Sequence, residues 1–361
     1  MLNGTRIIEF EGLGPAPFAA MMLADLGAEV IVIHRPVSAN PTADQGNLLD
    51  RGKKSITLDL KDADDLAVAH ALINSADALI EGYRPGVMER LGLGPEPCLQ
   101  DNAKLVYGRM TGWGQDGPRA TQAGHDYNYI ATSGALWYAS QPGQAPQTPA
   151  TLVGDIGGGA LYLVAGLLAG LLSAQKTGKG TVVDAAIVDG SAHMMALLMS
   201  MAPSGNLVQT RGKSLLDGPH WSRVYQCADG GYLSVQCLEA KFYAEFLQIL
   251  NLSDDPRFAV QYDPEKWAAQ TSELKRLFAS RPLQHWAELF DGSDACVAPV
   301  LAPQDAALDP HMTARGVWQD GPLQPAPAPR FDGQRTTPGP VPEKRQHGAE
   351  LRAELKAKGL L

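Results

Sequence analysis

The sequence has few cysteines and no arrangement of residues typical of a metal site. Its four cysteines, Cys98, Cys227, Cys237 and Cys296, form neither a CxxC pair nor a Cys/His set with zinc spacing. We interpret them as free thiols in a reducing compartment. Flavin-binding spacing is missing as well, so we expect no metal and no redox cofactor.

Positive charge and long apolar runs are also scarce. The chain has 30 Lys and Arg against 39 Asp and Glu, which gives a formal net charge of -9 and argues against bulk nucleic-acid binding. The longest apolar run, residues 160–172, is shorter than the ~20 residues that span a bilayer. The first residues do not resemble a signal peptide. We therefore expect no nucleic-acid partner, no membrane insertion and a cytoplasmic location.

Strand and helix patterns alternate through the first half of the chain. Arg6–Phe10 predicts a buried strand, residues 16–26 a helix, and residues 29–33 a second strand, which together form a βαβ unit. Because parallel strands need a crossover of this kind, we predict a parallel sheet in a doubly wound α/β layer. Residues 224–236, with Asp229-Gly230-Gly231 at a turn, predict a hairpin in a smaller α+β domain.

The turn after the first strand stands where a dinucleotide fingerprint would lie. Gly12 and Gly14 are present, but the third glycine of that fingerprint is missing. The second strand ends in His34-Arg35 instead of the acidic residue that binds a ribose hydroxyl. This pattern argues against NAD as the ligand. A ligand whose adenosine carries a phosphate, either NADP or CoA, stays open.

A series of short motifs runs through the large domain. In chain order they are Ala24-Asp25-Leu26-Gly27-Ala28-Glu29-Val30, Glu81-Gly82-Tyr83-Arg84-Pro85-Gly86-Val87, Arg90-Leu91-Gly92, Thr111-Gly112-Trp113-Gly114-Gln115, Ala123-Gly124-His125-Asp126-Tyr127-Asn128-Tyr129 and Gly154-Asp155. Their order resembles the class III CoA-transferase family, and within it the α-methylacyl-CoA racemase branch. The resemblance covers residues 6 to 331, and the Gly-His-Asp-x-x-Tyr stretch is its most specific part.

The resemblance implies a fold, an assembly and a substrate. The fold class is α/β, with a Rossmann-like doubly wound large domain plus a smaller α+β domain, in an interlocked homodimer with intersubunit active sites. Residues 1–190 would form the large CoA-binding domain, 191–222 a linker, 223–308 the small domain, and 309–361 a return segment packing on the large domain. The implied substrate is an acyl-CoA thioester.

The resemblance also implies site residues. His125 and Asp155 match the family's catalytic pair, and Glu239 matches a carboxylate that assists the aspartate from the partner subunit. Residues expected to line the CoA site are Arg35, Leu58, Asp59, Leu60, Lys61, Gly82, Tyr83, Arg84, Arg90, Gly124, Asp126, Tyr127, Asn128 and Tyr129.

Epimerisation next to a thioester carbonyl needs a base on one face of the α-carbon and an acid on the other. His125 can be neutral or charged near pH 7, whereas Asp155 holds a proton only if burial or a second carboxylate raises its pKa. We expect Glu239 to be that carboxylate. We also expect amide groups of the turn 154–157, ahead of a helix starting near Gly158, to bind the enolate oxygen.

The apolar acyl chain needs a different surface. Four methionines in eight residues, Met194, Met195, Met199 and Met201, suggest an adaptable acyl groove, with a Met-rich core helix as the alternative.

Besides epimerisation of an acyl-CoA, three other functions stay open. They are a CoA-transferase with Asp155 as nucleophile, an NADP oxidoreductase and a non-catalytic acyl-CoA-binding protein.

Overall fold

The computed structural model describes residues 1–36, 47–319, 321 and 323–361. Its contacts divide the chain into two compact units. The large unit contains Met1–Ala135, Pro149–Met194 and Pro325–Leu361, and the small unit contains Leu136–Thr148 and Met195–Gln324. This division differs from the expected domains at three segments, since 136–148, 309–324 and residues 195–222 of the expected linker all group with the small unit.

The large unit is built on a six-stranded sheet formed by described residues. Its strands are β1 (Arg6–Phe10), β2 (Glu29–His34), β3 (Lys54–Thr57), β4 (Ala78–Glu81), β5 (Val106–Thr111) and β6 (Thr181–Ala186). All pairs are parallel and the spatial order is β3-β2-β1-β4-β5-β6. The fold is therefore α/β, and this order places a topological switch point between β1 and β4.

Helices cover both faces of this sheet, which explains why its central strands are apolar almost throughout. The helices of the large unit are α1 (Pro15–Asp25), α2 (Ala63–Asn74), α3 (Val87–Arg90), α4 (Pro95–Asp101), α5 (Asp126–Ser133), α6 (Leu161–Thr177), α7 (Ile187–Met194) and α14 (Gly348–Ala357). One buried cluster joins the sheet to α1 and α6. The other includes Leu351 and Leu355, so the C-terminal helix packs into the core of the large unit.

The apolar helix before β6 is longer than its sequence pattern indicates. A π-helical segment, Leu152–Ala160, runs directly into α6, so the helical stretch is Leu152–Thr177. Among the described residues this is the one helix long and apolar enough to cross a membrane, and 44% of its most apolar window is buried inside the protein. Gly166 and Gly170 lie against Val183 and Val106 of the sheet, as in a core helix.

The small unit contains a three-stranded antiparallel sheet with the order β7-β8-β9. Its elements are α8 (Ala196–Met199), β7 (Ser222–Gln226), β8 (Tyr232–Gln236), α9 (Ala240–Ile249), α10 (Trp267–Phe278), α11 (Leu283–Phe290), β9 (Val297–Pro299), α12 (Pro303–Leu308) and α13 (Pro310–Ala314). The expected hairpin is present between β7 and β8. The aromatic core of the small unit contains Trp221, Tyr225, Phe246 and Phe278.

The contact between α6 and the sheet yields a stability prediction. A Cβ at Gly170 would lie 2.6 Å from Val106 Cγ1 and 3.2 Å from Thr181 Cγ2. We expect Gly170→Leu to lower the free energy of unfolding by about 1–3 kcal/mol, because the added side chain overpacks this contact. The matched control is Ala169→Leu at the next, exposed position, where a change within about 0.5 kcal/mol is expected.

Urea unfolding of both variants measures the difference. Equal stabilities for Gly170→Leu and Ala169→Leu would contradict the close packing of α6 on β5 and β6.

Candidate active site

A cavity of about 830 Å³ opens at the carboxyl ends of the central strands of the large unit. Four loops supply most of its lining: residues 11–17 after β1, His34 and Arg35 at the end of β2, residues 82–85 after β4, and residues 111–113 after β5. The carboxyl edge of a doubly wound sheet, at the strand-order switch point, is where such folds bind ligands. The fold therefore places the cavity where a site is expected.

His125 stands at the start of α5 and lines this cavity. Its backbone is extended, with φ -138° and ψ 176°, and its N–H donates to Asn128 Oδ1 at 3.0 Å. This bond satisfies the backbone at the helix start through the side chain three residues later. The exposed His125 side chain is thereby held at the cavity wall.

Asp155 lies in the π-helical segment and lines the same cavity. Its carboxyl group approaches the loop that precedes α1, since a Cβ at Gly14 would lie 3.6 Å from Asp155 Oδ2. Segments of π-helix are rare and are found frequently at functional sites. Asp155 is half-buried, so one part of its carboxyl group faces protein and another faces the cavity.

The backbone next to Asp155 is held by a second carboxylate. Asp126 Oδ1 accepts the N–H groups of Gly154 and Asp155, each at 2.9 Å. Ile156 N–H donates to the carbonyl of Thr151 at 3.0 Å. These three amides are consequently occupied, and the expectation that they bind an enolate oxygen is wrong, because the helix begins at Leu152 instead of near Gly158.

The electrostatics of the cavity bring the pKa of Asp155 towards neutrality. Burial and then the charge of Asp126 together raise the pKa of the Asp155 carboxyl to about 6, against the opposing effect of His125. The second carboxylate beside Asp155 in the large unit is therefore Asp126. The imidazole of His125 and the Asp155 carboxyl, whose pKa is raised to about 6, line one cavity.

Tyr129 forms the wall between these groups and β5. Its hydroxyl donates to the carbonyl of Gly124, and its ring packs edge-on against Trp113 with centroids 4.8 Å apart. A Cβ at Gly112 would overlap this ring, and one at Gly124 would lie 2.7 Å from it. The glycines of the two motifs are thus required to seat Tyr129 beside the cavity.

The cationic end of the cavity lies beyond β2 and β4. The guanidinium of Arg35 lies 4.9 Å from the ring centroid of Tyr83, and the backbone N–H of Arg35 donates to Glu11 Oε2 at 2.9 Å. Glu81 accepts the Tyr83 N–H at 2.7 Å and so fixes the loop after β4. Arg84 lines the cavity from that loop. This end presents guanidinium groups suited to phosphate oxygens.

Eight of the sequence-derived site residues line the cavity. They are Arg35, Gly82, Tyr83, Arg84, Gly124, His125, Tyr129 and Asp155. The other expected CoA contacts within the large unit lie outside its described lining. Leu58 is buried in the core because its side chain faces α2, while Asp59, Leu60 and Lys61 form a turn after β3. Asp126 is buried against the π-helical segment, and Arg90, Tyr127 and Asn128 lie beyond the lining.

Sequence reasoning assigned none of the other lining residues to the site, and two of them, Lys344 and Trp113, bear on its chemistry. Lys344, from the C-terminal segment, lies 3.7 Å from Glu11 Oε1 and adds a cation near Arg35. Because Lys344 is far from Arg35 along the chain, no local sequence pattern indicates that the two residues line one cavity. Trp113 lines the cavity beside Tyr129 and stands in a motif that the sequence displays.

The methionines expected to form the acyl groove are not core residues. Met194 and Met199 are 37% and 47% exposed, which argues against the alternative of a Met-rich core helix. Met194 Cε lies 3.3 Å from the position of a Cβ at Gly157, close to Asp155. Met195, Met199 and Met201 belong to the small unit.

Glu239 also belongs to the small unit, where it precedes α9 and is exposed. Its expected action on Asp155 stays a prediction.

Known proteins resemble this chain over almost its full length. The family model described as CoA-transferase family III matches residues 2–346. The α-methylacyl-CoA racemases of Mus musculus and Homo sapiens are 39% and 37% identical to it, each over 91% of this chain and over 85% and 86% of their own lengths. A crystal structure of a CaiB/BaiF family protein from Brucella suis superposes with a TM-score of 0.81 at 26% identity, covering 98% of this chain and 99% of that one.

The switch-point cavity, its Gly-His-Asp motif and these matches together show that the chain belongs to CoA-transferase family III.

Proposed function

We propose that this protein is an α-methylacyl-CoA racemase that inverts the 2-methyl centre of branched acyl-CoA thioesters. The observation that carries the proposal is the pair His125 and Asp155 in one cavity, with the pKa of Asp155 raised to about 6. The reaction is a two-base 1,1-proton transfer through an enolate, and it needs neither a metal nor a redox cofactor. Similarity to two named racemases supports the same reaction.

The raised pKa of Asp155 matters because the reaction runs in both directions. In one direction neutral His125 removes the α-proton and protonated Asp155 delivers one to the opposite face of the enolate. In the other direction ionised Asp155 removes the proton and the imidazolium of His125 delivers one. A pKa of about 6 gives the Asp155 carboxyl access to both of the states that the two directions need.

The competing function is a CoA-transferase of the same family. In that chemistry Asp155 would attack the thioester carbonyl and form an acyl-enzyme anhydride. A carboxyl group whose pKa is raised suits proton transfer, whereas a nucleophile on the carbonyl needs no partner base across the α-carbon. The presence of His125 in the lining therefore favours epimerisation.

The cationic end of the cavity suits the CoA part of the substrate. Arg35, stacked near Tyr83, and Arg84 on the loop after β4 would bind the phosphates, with Lys344 beside them. The four methionines, of which Met194 and Met199 are exposed and Met195 and Met201 half-buried, would form an adaptable surface for the acyl chain.

We further propose a homodimer in which Glu239 of one subunit assists Asp155 of the other. Glu239 is exposed at the start of α9, so its carboxylate is accessible to a second copy. Sedimentation-velocity ultracentrifugation at assay concentration should give a dimer. A fully active monomer would contradict this assembly.

Arg35→Ala tests the assignment of the cationic end. Loss of its charge-assisted contacts should raise KM by roughly tenfold to a hundredfold and change kcat little, because binding is lost equally in the ground state and the transition state. Steady-state kinetics measure both constants. The control is Arg276→Ala, because the Arg276 side chain is exposed on the surface of α10. A fall in kcat at constant KM would show that Arg35 acts on the reacting carbon instead.

Substitution of either base tests the mechanism. His125→Ala and Asp155→Asn should each reduce epimerisation in both directions by about a hundredfold or more, since every turnover uses both groups. Each variant should still exchange the α-hydrogen of the one enantiomer whose base survives. Deuterium uptake, followed separately for the R and S thioesters in buffer containing EDTA, measures this difference.

The matched controls are His70→Ala on α2 and Asp101→Asn on α4, which change the same residue types outside the cavity. They should retain full activity. If His125→Ala epimerised at the parent rate, the racemase assignment would fail and the CoA-transferase would replace it.

A further inference from the structure

Asp126 connects the two segments that carry the proposed acid and base. It follows His125 directly at the start of α5, and its Oδ1 accepts the N–H groups of Gly154 and Asp155 at 2.9 Å each. Asp126 is buried, with only 5% of its surface exposed. A buried carboxylate that accepts two backbone amides fixes both segments against each other.

The chain leaves room for this contact at one position. A Cβ at Gly154 would overlap Asp126 Oδ1 and would lie 2.8 Å from Ile130 Cγ2. No side chain larger than that of glycine fits without displacing the carboxylate. The close approach of α5 to the π-helical segment thus depends on Gly154.

The second oxygen of Asp126 has a different environment. Oδ2 is buried and has no hydrogen-bond partner among the described residues. A buried oxygen of a carboxylate that lacks a partner is costly, and its charge acts strongly on neighbouring ionisable groups. For Asp155, the charge of Asp126 raises the pKa of the carboxyl group, second to the effect of burial.

We infer that Asp126 is a positioning residue for epimerisation, which fixes the Asp155 backbone through Oδ1 and places the buried charge of its carboxylate next to the segment that carries the Asp155 side chain. The inference rests on the proposed function. It replaces the expected role of Asp126 as a CoA contact with one that acts through Asp155.

The groups that face Asp155 come from α5. They are His125, Asp126 and Tyr129, of which Asp126 disfavours the ionised carboxylate and His125 favours it. The charged residue of α6, Lys176, lies in the last turn of that helix, at the end away from the cavity. Asp126 is therefore the one carboxylate of the described residues that acts on Asp155 from the elements packed against it.

The remaining neighbours do not compete with it. The loop before α1 meets Asp155 through Gly14, and the first turn of α1 carries no acidic residue. On α7, Asp189 lies near Asp184, and His193 is hydrogen-bonded to the hydroxyl of Tyr162 at 2.6 Å.

Asp126→Asn separates the two effects, because the amide oxygen can still accept both N–H groups while the charge is removed. The acid limb of the pH profile of kcat/KM should move to lower pH by roughly one unit or more, since loss of a like charge lowers the pKa of Asp155. Both directions should shift equally, because the two forms of the free enzyme that they use hold the same total number of protons and titrate together. Asp126→Ser, neutral and smaller, should give the same shift.

A merely structural role would lower kcat/KM at every pH and leave the limb in place. An unmoved limb in Asp126→Asn and Asp126→Ser, both folded by circular dichroism, would overturn the inference. Asp101→Asn on α4 is the control and should reproduce the parent profile.

A second measurement separates this inference from the proposed function. Carbon-13 NMR titration of labelled aspartate, assigned with Asp155→Asn, reports the pKa of Asp155 without any assay. A lowered pKa in Asp126→Asn, in a protein that epimerises no 2-methylacyl-CoA, would end the proposed function and leave the electrostatic action of Asp126 standing. An unchanged pKa would end the inference even in an active racemase.

Discussion

The arrangement of the cavity depends on one buried carboxylate that bonds to two backbone amides. Asp126 joins the start of α5 to the π-helical segment, and so determines the separation of His125 from Asp155. Two groups that share a substrate atom must keep a fixed geometry, because small displacements reduce proton transfer strongly. The same carboxylate places negative charge next to Asp155, so one contact controls both position and protonation.

The rest of the large unit supports this contact through close packing. Gly112 and Gly124 leave space for the ring of Tyr129, and Gly166 and Gly170 allow α6 to lie against the sheet. The π-helical segment is continuous with α6, so the packing of that helix fixes the position of Asp155. Side chains at Gly112 or Gly124 would displace Tyr129 at the cavity wall, and side chains at Gly166 or Gly170 would disturb the packing of α6 on the sheet.

Charge is distributed unevenly in this acidic protein. Several cations of the large unit form buried ion pairs, such as Lys53 with Glu9 and Arg51 with Asp25. Arg35, Arg84 and Lys344 line the cavity, where Lys344 lies 3.7 Å from Glu11 Oε1. A local group of cations in a chain of net charge -9 suits a ligand that carries several phosphates at one end.

Local sequence patterns were sufficient to predict the first βαβ unit, because β1 and β2 contain short apolar runs between turn residues. β1 has the predicted bounds, Arg6–Phe10, and the βαβ unit is parallel. The motif Gly124-His125-Asp126 identified the family, which the comparisons confirm. The contacts of Asp126 with Gly154 and Asp155 could not be predicted from the sequence, because these partners lie 28 and 29 residues further along the chain.

Other features depend on tertiary packing and have no local signal. Leu58 follows a strand as a ligand-binding residue would, yet its side chain is buried in the core. Lys344 reaches the cavity only because the C-terminal segment returns to the large unit. The helical start at Leu152 was hidden by Gly157, Gly158 and Gly159, which are typical of a turn but here allow α7 to approach closely.

The most direct test of the central claim is proton NMR of the unmodified protein in deuterated water. Each enantiomer of one 2-methylacyl-CoA is incubated separately, together with a free carboxylic acid as a possible CoA acceptor. The account predicts that both enantiomers lose the α-hydrogen signal and converge on the same R/S mixture, while no CoA reaches the acceptor. Transfer of CoA to the acid without loss of the α-hydrogen would contradict it and would identify Asp155 as a nucleophile.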